Sequence, residues 1–296
     1  MREKLKRGLD YTRRFLLELF RLYTTKPINR SSAALCYFLV MTFFPLIILL
    51  YTMLGSSYAV AMRGIRMMEG FVAEGTLKTI TDFVRYVAMN VNQSMTVAAA
   101  IVLVGSASAG VRTLQSCIGE LQGRQRYQGV FDLLFSIIFS LILVVAIYAS
   151  AVILVTGRQV INFVNAHIPF FELSVSWDSL RFLVLAMIIY LLLLGVYKFS
   201  RPVGERYHTH AGAIFATLAI VAVSYVFSAI IGNSARYPLV YGSLASMILL
   251  MMWMYTSCIV IFLGAAVNIA QRNVKRELRA QRDGDMPSDE PTGTAK

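Results

Sequence analysis

Apolar residues gather into six long runs along this chain, at 32–54, 94–114, 131–155, 180–199, 211–232 and 241–272, with the charge concentrated in the links between them. The last run is the cleanest, since no charged side chain occurs between Arg236 and Arg272. At about 1.5 Å of rise per residue, such a run crosses the roughly 30 Å hydrocarbon layer of a bilayer with some tilt. The pattern predicts an all-α, polytopic membrane protein with six transmembrane helices.

Two further segments carry a helical pattern of another kind. In residues 1–30, Leu5, Leu9, Leu16, Leu19, Phe20 and Tyr23 share one helical face, with Arg7, Arg14 and Arg21 opposite. That is the pattern of an amphipathic helix on an anionic leaflet, or of a solvated helix packed on the protein's own cytoplasmic loops. Between spans one and two, Leu77, Ile80, Phe83, Val84 and Val87 line one face while Lys78, Asp82 and Arg85 line another. A helical outer segment is expected there, as a plain lid or as a wall of an outward-facing cavity. The domain reading is therefore a basic amphipathic helix at 1–30, a six-helix transmembrane domain at 31–272, and a polar tail at 273–296 expected to be disordered.

Composition agrees with the pattern. The chain is 57% hydrophobic and only 15% charged over 296 residues, outside the usual range of soluble domains. Its net charge of +12 is a question of sidedness rather than a sign of nucleic acid. Of the Lys and Arg residues, twenty-one fall on the side of the two termini and seven on the other. The positive-inside rule then places both termini in the cytoplasm. Cys36, Cys117 and Cys258 are odd in number and follow no metal or disulfide spacing.

Particular residues within the runs stand out. Pro45 lies near the centre of the first span, where it removes a backbone donor and predicts a bend or hinge. Span two is rich in small residues from Gly105 to Gly110, which favour close helix contact, and Arg112 follows them directly. An arginine there is a pathway candidate or a snorkelling side chain near the cytoplasmic end. In span five, Gly212, Ala216, Ser224, Ser228 and Gly232 recur at multiples of four and predict tight packing on a neighbour. In span six, Ser246, Trp253, Ser257, Gly264 and Asn268 follow near-heptad spacing and should face a common side.

The last span opens on Tyr241-Gly242 and closes on Gly264-Ala265-Ala266-Val267-Asn268; the first carries a mid-helix Phe44-Pro45; the fifth opens on His210-Ala211-Gly212-Ala213. In these motifs, and over about residues 15–275, the chain resembles the YihY/BrkB family of bacterial inner-membrane proteins, some once labelled ribonuclease BN. The closing motif of the family is Gly-Ala-Glu-Leu-Asn, and here Ala266 replaces the acidic residue. No role of that acid is carried over. The resemblance implies a multi-pass protein of the cytoplasmic membrane and a transporter-like role.

The chemistry for catalysis is missing from the sequence. Ribonuclease action needs a metal-holding acid cluster or paired histidines. The chain offers His167, and His208-x-His210 with Glu205, which lacks a further ligand set. No cofactor, metal or catalytic residue is assigned. All sixteen Asp and Glu lie in links, tails or at a span's edge, which disfavours coupling through an intramembrane carboxylate. The expected function is translocation of a lipid or other amphipathic molecule, with Arg112, Trp253, Ser257 and Asn268 as pathway candidates, Pro45 as hinge and membrane lipids as partners. The alternative is a non-transporting scaffold that recruits partners at the cytoplasmic face.

Overall fold

The computed structural model describes residues 2–53, 57–67, 74–123, 130–167, 177–201, 207–232 and 244–284. Among these the chain forms nine helices: α1 (Arg2–Thr25), α2 (Ile28–Met53), α3 (Tyr58–Met67), α4 (Glu74–Asn90), α5 (Gln93–Leu121), α6 (Val130–His167), α7 (Trp177–Phe199), α8 (His210–Gly232) and α9 (Leu244–Gly284). α2, α5, α8 and α9 are each long and apolar enough to cross a membrane, and α6 and α7 add the shorter apolar stretches Ser136–Ser150 and Leu183–Phe199. This is the architecture of a helical polytopic membrane protein.

The six spanning helices follow one another around the bundle. α2 packs on α5, α5 on α6, α6 on α7, α7 on α8, α8 on α9, and α9 returns to α2, with α5 also touching α9. Such an order needs only links between adjacent antiparallel helices, short segments in every case but the first, where α3 and α4 join α2 to α5. The most extensive contact joins α2 and α5. There the Cβ position of Gly110 lies 3.5 Å from Phe38 Cβ, and Thr42 Oγ1 donates to Ser106 Oγ at 2.9 Å.

The buried apolar side chains form two clusters. The larger joins Leu35, Val111, Leu193, Ala216 and Phe262 from five of the spans. The smaller joins Ile48 and Tyr51 of α2, Ile65 of α3, Ile80, Val84 and Val87 of α4, and Ala99 of α5. The segment between the first two spans is thus two helices, and the apolar face expected around Ile80 to Val87 packs on the adjoining ends of α2 and α5. Asn92 makes the tight α4–α5 corner by accepting the Met95 N–H at 2.8 Å, which satisfies one of the unpaired donors of the first turn of α5.

Two helices outrun their apolar segments. α5 continues past residue 114 to Leu121, and Gly123, just beyond the capping Gln122, has a φ of 73°, a left-handed turn conformation suited to glycine. α9 continues to Gly284, so residues 273–284 are helical where a disordered tail was expected. The reason is a partner: α1 lies along this extension, with Asn273 Nδ2 donating to Glu18 Oε1 at 2.9 Å and Arg14 Nη1 to Gln281 Oε1 at 3.1 Å. The rest of the polar tail, 285–296, and the Tyr241-Gly242 turn lie outside the described residues.

Candidate functional site

Two places gather the polar side chains of the spans. One is the contact between α8 and α9, together with the end of α7. The other is the exposed face of α5.

At the first, α8 and α9 run antiparallel with almost no side chain between them. A Cβ on Gly212 would meet Gly264 O and the Asn268 side chain, and one on Gly264 would come within 2.7 Å of Gly212 O and 2.8 Å of Ala216 Cβ. Only glycine allows backbones this close. Gly212 is the third residue of α8, so its N–H has no acceptor inside the helix. Asn268 Oδ1 accepts it at 2.7 Å. Thr209, just before the helix, would ordinarily fill that role. Its Oγ1 is buried and, like Asn268 Nδ2, has no hydrogen-bond partner among the described residues. Tyr197 of α7 closes the junction by donating from Oη to Ile261 O at 2.6 Å.

Higher on the same contact, Trp253 Nε1 donates to Ser224 Oγ at 3.2 Å. Trp253 and Asn268 therefore both face α8, as the heptad spacing predicts, but fifteen residues of helix separate them by about 22 Å. Ser257 turns back on its own helix, its Oγ donating to Trp253 O at 2.8 Å. Of the polar side chains of α9 picked out from the sequence, Trp253 and Asn268 thus hold α9 to α8, and Ser257 bonds within α9.

The second place differs in kind. Gly105, Ala109, Arg112 and Ser116 share one face of α5, with Gly105 and Arg112 exposed and Ala109 and Ser116 half-buried. No atom lies within 4 Å of the Cβ position of Gly105. The Gly110–Phe38 and Ser106–Thr42 contacts fix the antiparallel register of α2 and α5, which sets Arg112 level with Cys36. Cys36 lies eight residues into α2 and four into its apolar run from residue 32, roughly 6 Å along the helix. Arg112 thus stands inside the span zone of its neighbour, with no hydrogen-bond or ion-pair partner among the described residues. Pro45 lies elsewhere, inside α2 and between the two apolar clusters.

Sequence reasoning singled out both glycine motifs but not their meeting, since Gly212 and Asn268 are 56 residues apart. It also missed Tyr207, which receives Gln122 Nε2 on its Oη at 3.2 Å and has the guanidinium carbons of Arg201 and Arg272 at 5.8 and 5.5 Å from its ring centre. Such cation–ring contacts need tertiary structure to be seen. His210 Nδ1 pairs with Tyr190 Oη at 2.7 Å. Glu205 lies outside the described residues, among which no group of three His, Cys, Asp or Glu is placed to hold a metal.

Comparison with known proteins agrees with this architecture. The chain is 25% identical over 258 residues to the ribonuclease-like protein YfkH of Bacillus subtilis, covering 86% of this chain and 94% of that one. It is 34% identical over 91 residues to a UPF0761 membrane protein of Verminephrobacter eiseniae, covering 31% of this chain and 21% of that protein. A UPF0761 membrane protein of Rhodospirillum rubrum is 35% identical over 85 residues, covering 29% and 19%. No solved structure matches the chain. The family model described as virulence factor BrkB matches residues 19–287, which takes in all six spans and both glycine motifs, and the chain belongs to that family of membrane proteins.

Proposed function

We propose that this protein facilitates the movement of a phospholipid or similar amphipathic molecule between leaflets of the bacterial cytoplasmic membrane, without catalytic chemistry of its own. The observation that carries the reading is the exposed α5 face, where small residues lead to Arg112 at a depth inside the spans. An arginine at the middle of a span costs about 2.5–3.5 kcal/mol on insertion scales, and less where it reaches the interface. Here the cost is offset when an anionic headgroup pairs with the guanidinium, which binds phosphate oxygens in a two-pronged geometry. The headgroup follows the narrow lane beside Gly105 and Ala109 while its tails stay in lipid.

The basic end of the bundle, where α1 meets the end of α9, is assigned to the cytoplasm on the charge asymmetry of the links. With the carboxylates outside the spans, the movement is passive and runs in both directions. Because Trp253, Ser257 and Asn268 are spent on contacts between or within helices, the route favours the outside of α5 over the α8–α9 contact.

The test is reconstitution of the purified protein in liposomes, reading how much fluorescent phospholipid a membrane-impermeant quencher reaches. Arg112→Ala is expected to slow transfer about tenfold or more, the worth of one charge-assisted hydrogen bond at about 1.5–3 kcal/mol, and Arg112→Lys less. No transfer above protein-free liposomes for anionic and zwitterionic lipids would sink this reading and favour the scaffold.

A further inference from the structure

α1 is apolar on more of its surface than its own protein covers. Phe15, Leu19 and Leu22 turn inward and join the main apolar cluster, and Glu18 and Arg14 reach Asn273 and Gln281 of α9. Leu16, Leu17, Phe20 and Tyr23 point away, at 57%, 59%, 67% and 39% exposure. Leu16, Phe20 and Tyr23 follow i, i+4, i+7 spacing, so they form one stripe along the helix. Arg13 and Arg21 are both exposed on one flank of it, about 50° and about 130° round the helix from the stripe, and Arg21 Nη1 also meets Glu18 Oε2 at 3.4 Å.

The charge around the stripe has one sign. Residues 10–30 and 272–281, the paired parts of α1 and α9, hold nine Lys and Arg against three Asp and Glu. A second copy of the same arm would bring like charges together. The stripe is also close to lipid, because Phe20 and Tyr23 precede Ile28, the first residue of spanning helix α2, by only eight and five residues. That is about 12 and 8 Å of helix, so Tyr23 falls at the edge of a headgroup layer of roughly 5–8 Å per leaflet and Phe20 reaches it where α1 inclines toward the membrane.

We infer that the α1–α9 arm is a membrane-surface sensor: the Leu16–Phe20–Tyr23 stripe inserts among headgroups of the adjoining leaflet, and it does so only where anionic lipid holds the flanking arginines. The occupant is the anionic lipid surface itself. Both ends of the chain then report on the composition of one leaflet. The inference is independent of whether the bundle moves lipid.

The experiment places a nitroxide label at Phe20→Cys in the full-length protein, whose Cys36, Cys117 and Cys258 are buried. A second label at exposed Lys275→Cys on α9 serves as reference. The protein is held one copy per nanodisc, in phosphatidylcholine alone or mixed with phosphatidylglycerol. The expected result is loss of collision with a water-soluble nickel complex and gain of collision with oxygen at position 20 in the anionic discs only, abolished by Arg13→Glu with Arg21→Glu. Nickel access equal to that at position 275 in both discs would overturn the inference. So would protection in neutral discs as strong as in anionic ones, or protection that appears only when a disc holds two copies.

Discussion

Asn268 Oδ1 accepts the N–H of Gly212 at 2.7 Å, so that a side chain of α9 does the work of the capping residue of α8. Thr209 stands at the capping position with a buried hydroxyl that has no partner among the described residues. The two acceptors compete for one donor. Asn268→Ala alone is therefore expected to be mild, because Thr209 Oγ1 takes over the Gly212 N–H. Thr209→Val alone is expected to be milder still. The double variant leaves a buried N–H unpaired, at about 1–3 kcal/mol. Thermal unfolding in detergent across the double-mutant cycle measures the coupling, which should be clearly non-additive. Simple additivity would show that Thr209 is no reserve cap.

The glycines at the same junction are constrained by shape rather than by bonding. Gly212→Ala places a methyl group against the carbonyl of Gly264 and 2.6 Å from Asn268 Cγ, both of which belong to well-packed helix. The helices must separate, and the hydrogen bonds of Asn268 and Tyr197 lengthen with them. The expected cost is about 1–3 kcal/mol or more, as for other overpacked sites, and Gly264→Ala should behave alike. Gly195, whose Cβ position has nothing within 4 Å, is the control: Gly195→Ala should leave the melting temperature unchanged or raised.

Trp253 offers a smaller test. Its indole N–H to Ser224 Oγ distance of 3.2 Å is at the long end for such a bond. Hydrogen bonds between spanning helices average about 0.6 kcal/mol. Trp253→Phe keeps an aromatic ring in the main apolar cluster and removes only the donor, so a loss near that average is expected. Lipid transfer should be unchanged, because the bond lies on the α8–α9 contact and not on the α5 lane. A transfer defect larger than the stability loss would move the route to the α8–α9 side.

The architecture was legible in the sequence because an apolar run long enough to cross a bilayer is a property of contiguous residues. The same holds for the face of α4, where Ile80, Val84 and Val87 are buried as their spacing predicts. The stripe on α8 was legible as a packing face in Gly212, Ala216 and Ser224, which meet α9. Helix ends were not legible where tertiary contacts set them. Residues 273–284 have the composition of a tail, yet α1 packs along them and the helix persists. For α1 itself, period alone could not divide Leu19, which packs inward, from Phe20, which remains exposed. Nor does heptad spacing reveal that Trp253 and Asn268 hold the same two helices at different heights.

Pro45 gives a prediction about motion. α2 joins both apolar clusters, with Val40 in one and Ile48 in the other, and Pro45 between them supplies no N–H to the carbonyl of Met41. On α5, Gly105 stands close to the same level, by the register of the Ser106–Thr42 bond. Two weak points side by side are expected to let the smaller cluster tilt against the main bundle. Pro45→Ala restores the hydrogen bond and should stabilise the fold by up to about 3 kcal/mol, the usual penalty for proline inside a helix. If tilting opens the lane, the same change slows lipid transfer. Hydrogen exchange of the α2 amides near residue 45 should slow in either case.

The most discriminating substitution is Gly105→Leu. Its Cβ position meets open space, so the fold has no clash to absorb, and leucine is the better helix former by somewhat under 1 kcal/mol. A scaffold should therefore tolerate it with unchanged or higher melting temperature. The lane on α5 should not, because an isobutyl group would stand on the path that leads to Arg112. The expected outcome is intact stability with lipid transfer reduced about as far as by Arg112→Ala, and no further loss in the double variant, since both changes act on one route. Transfer that persists in Gly105→Leu at the rate of the unaltered protein would remove α5 from the route while leaving translocation itself standing. Blocked transfer with an unchanged melting curve would separate function from stability at one residue.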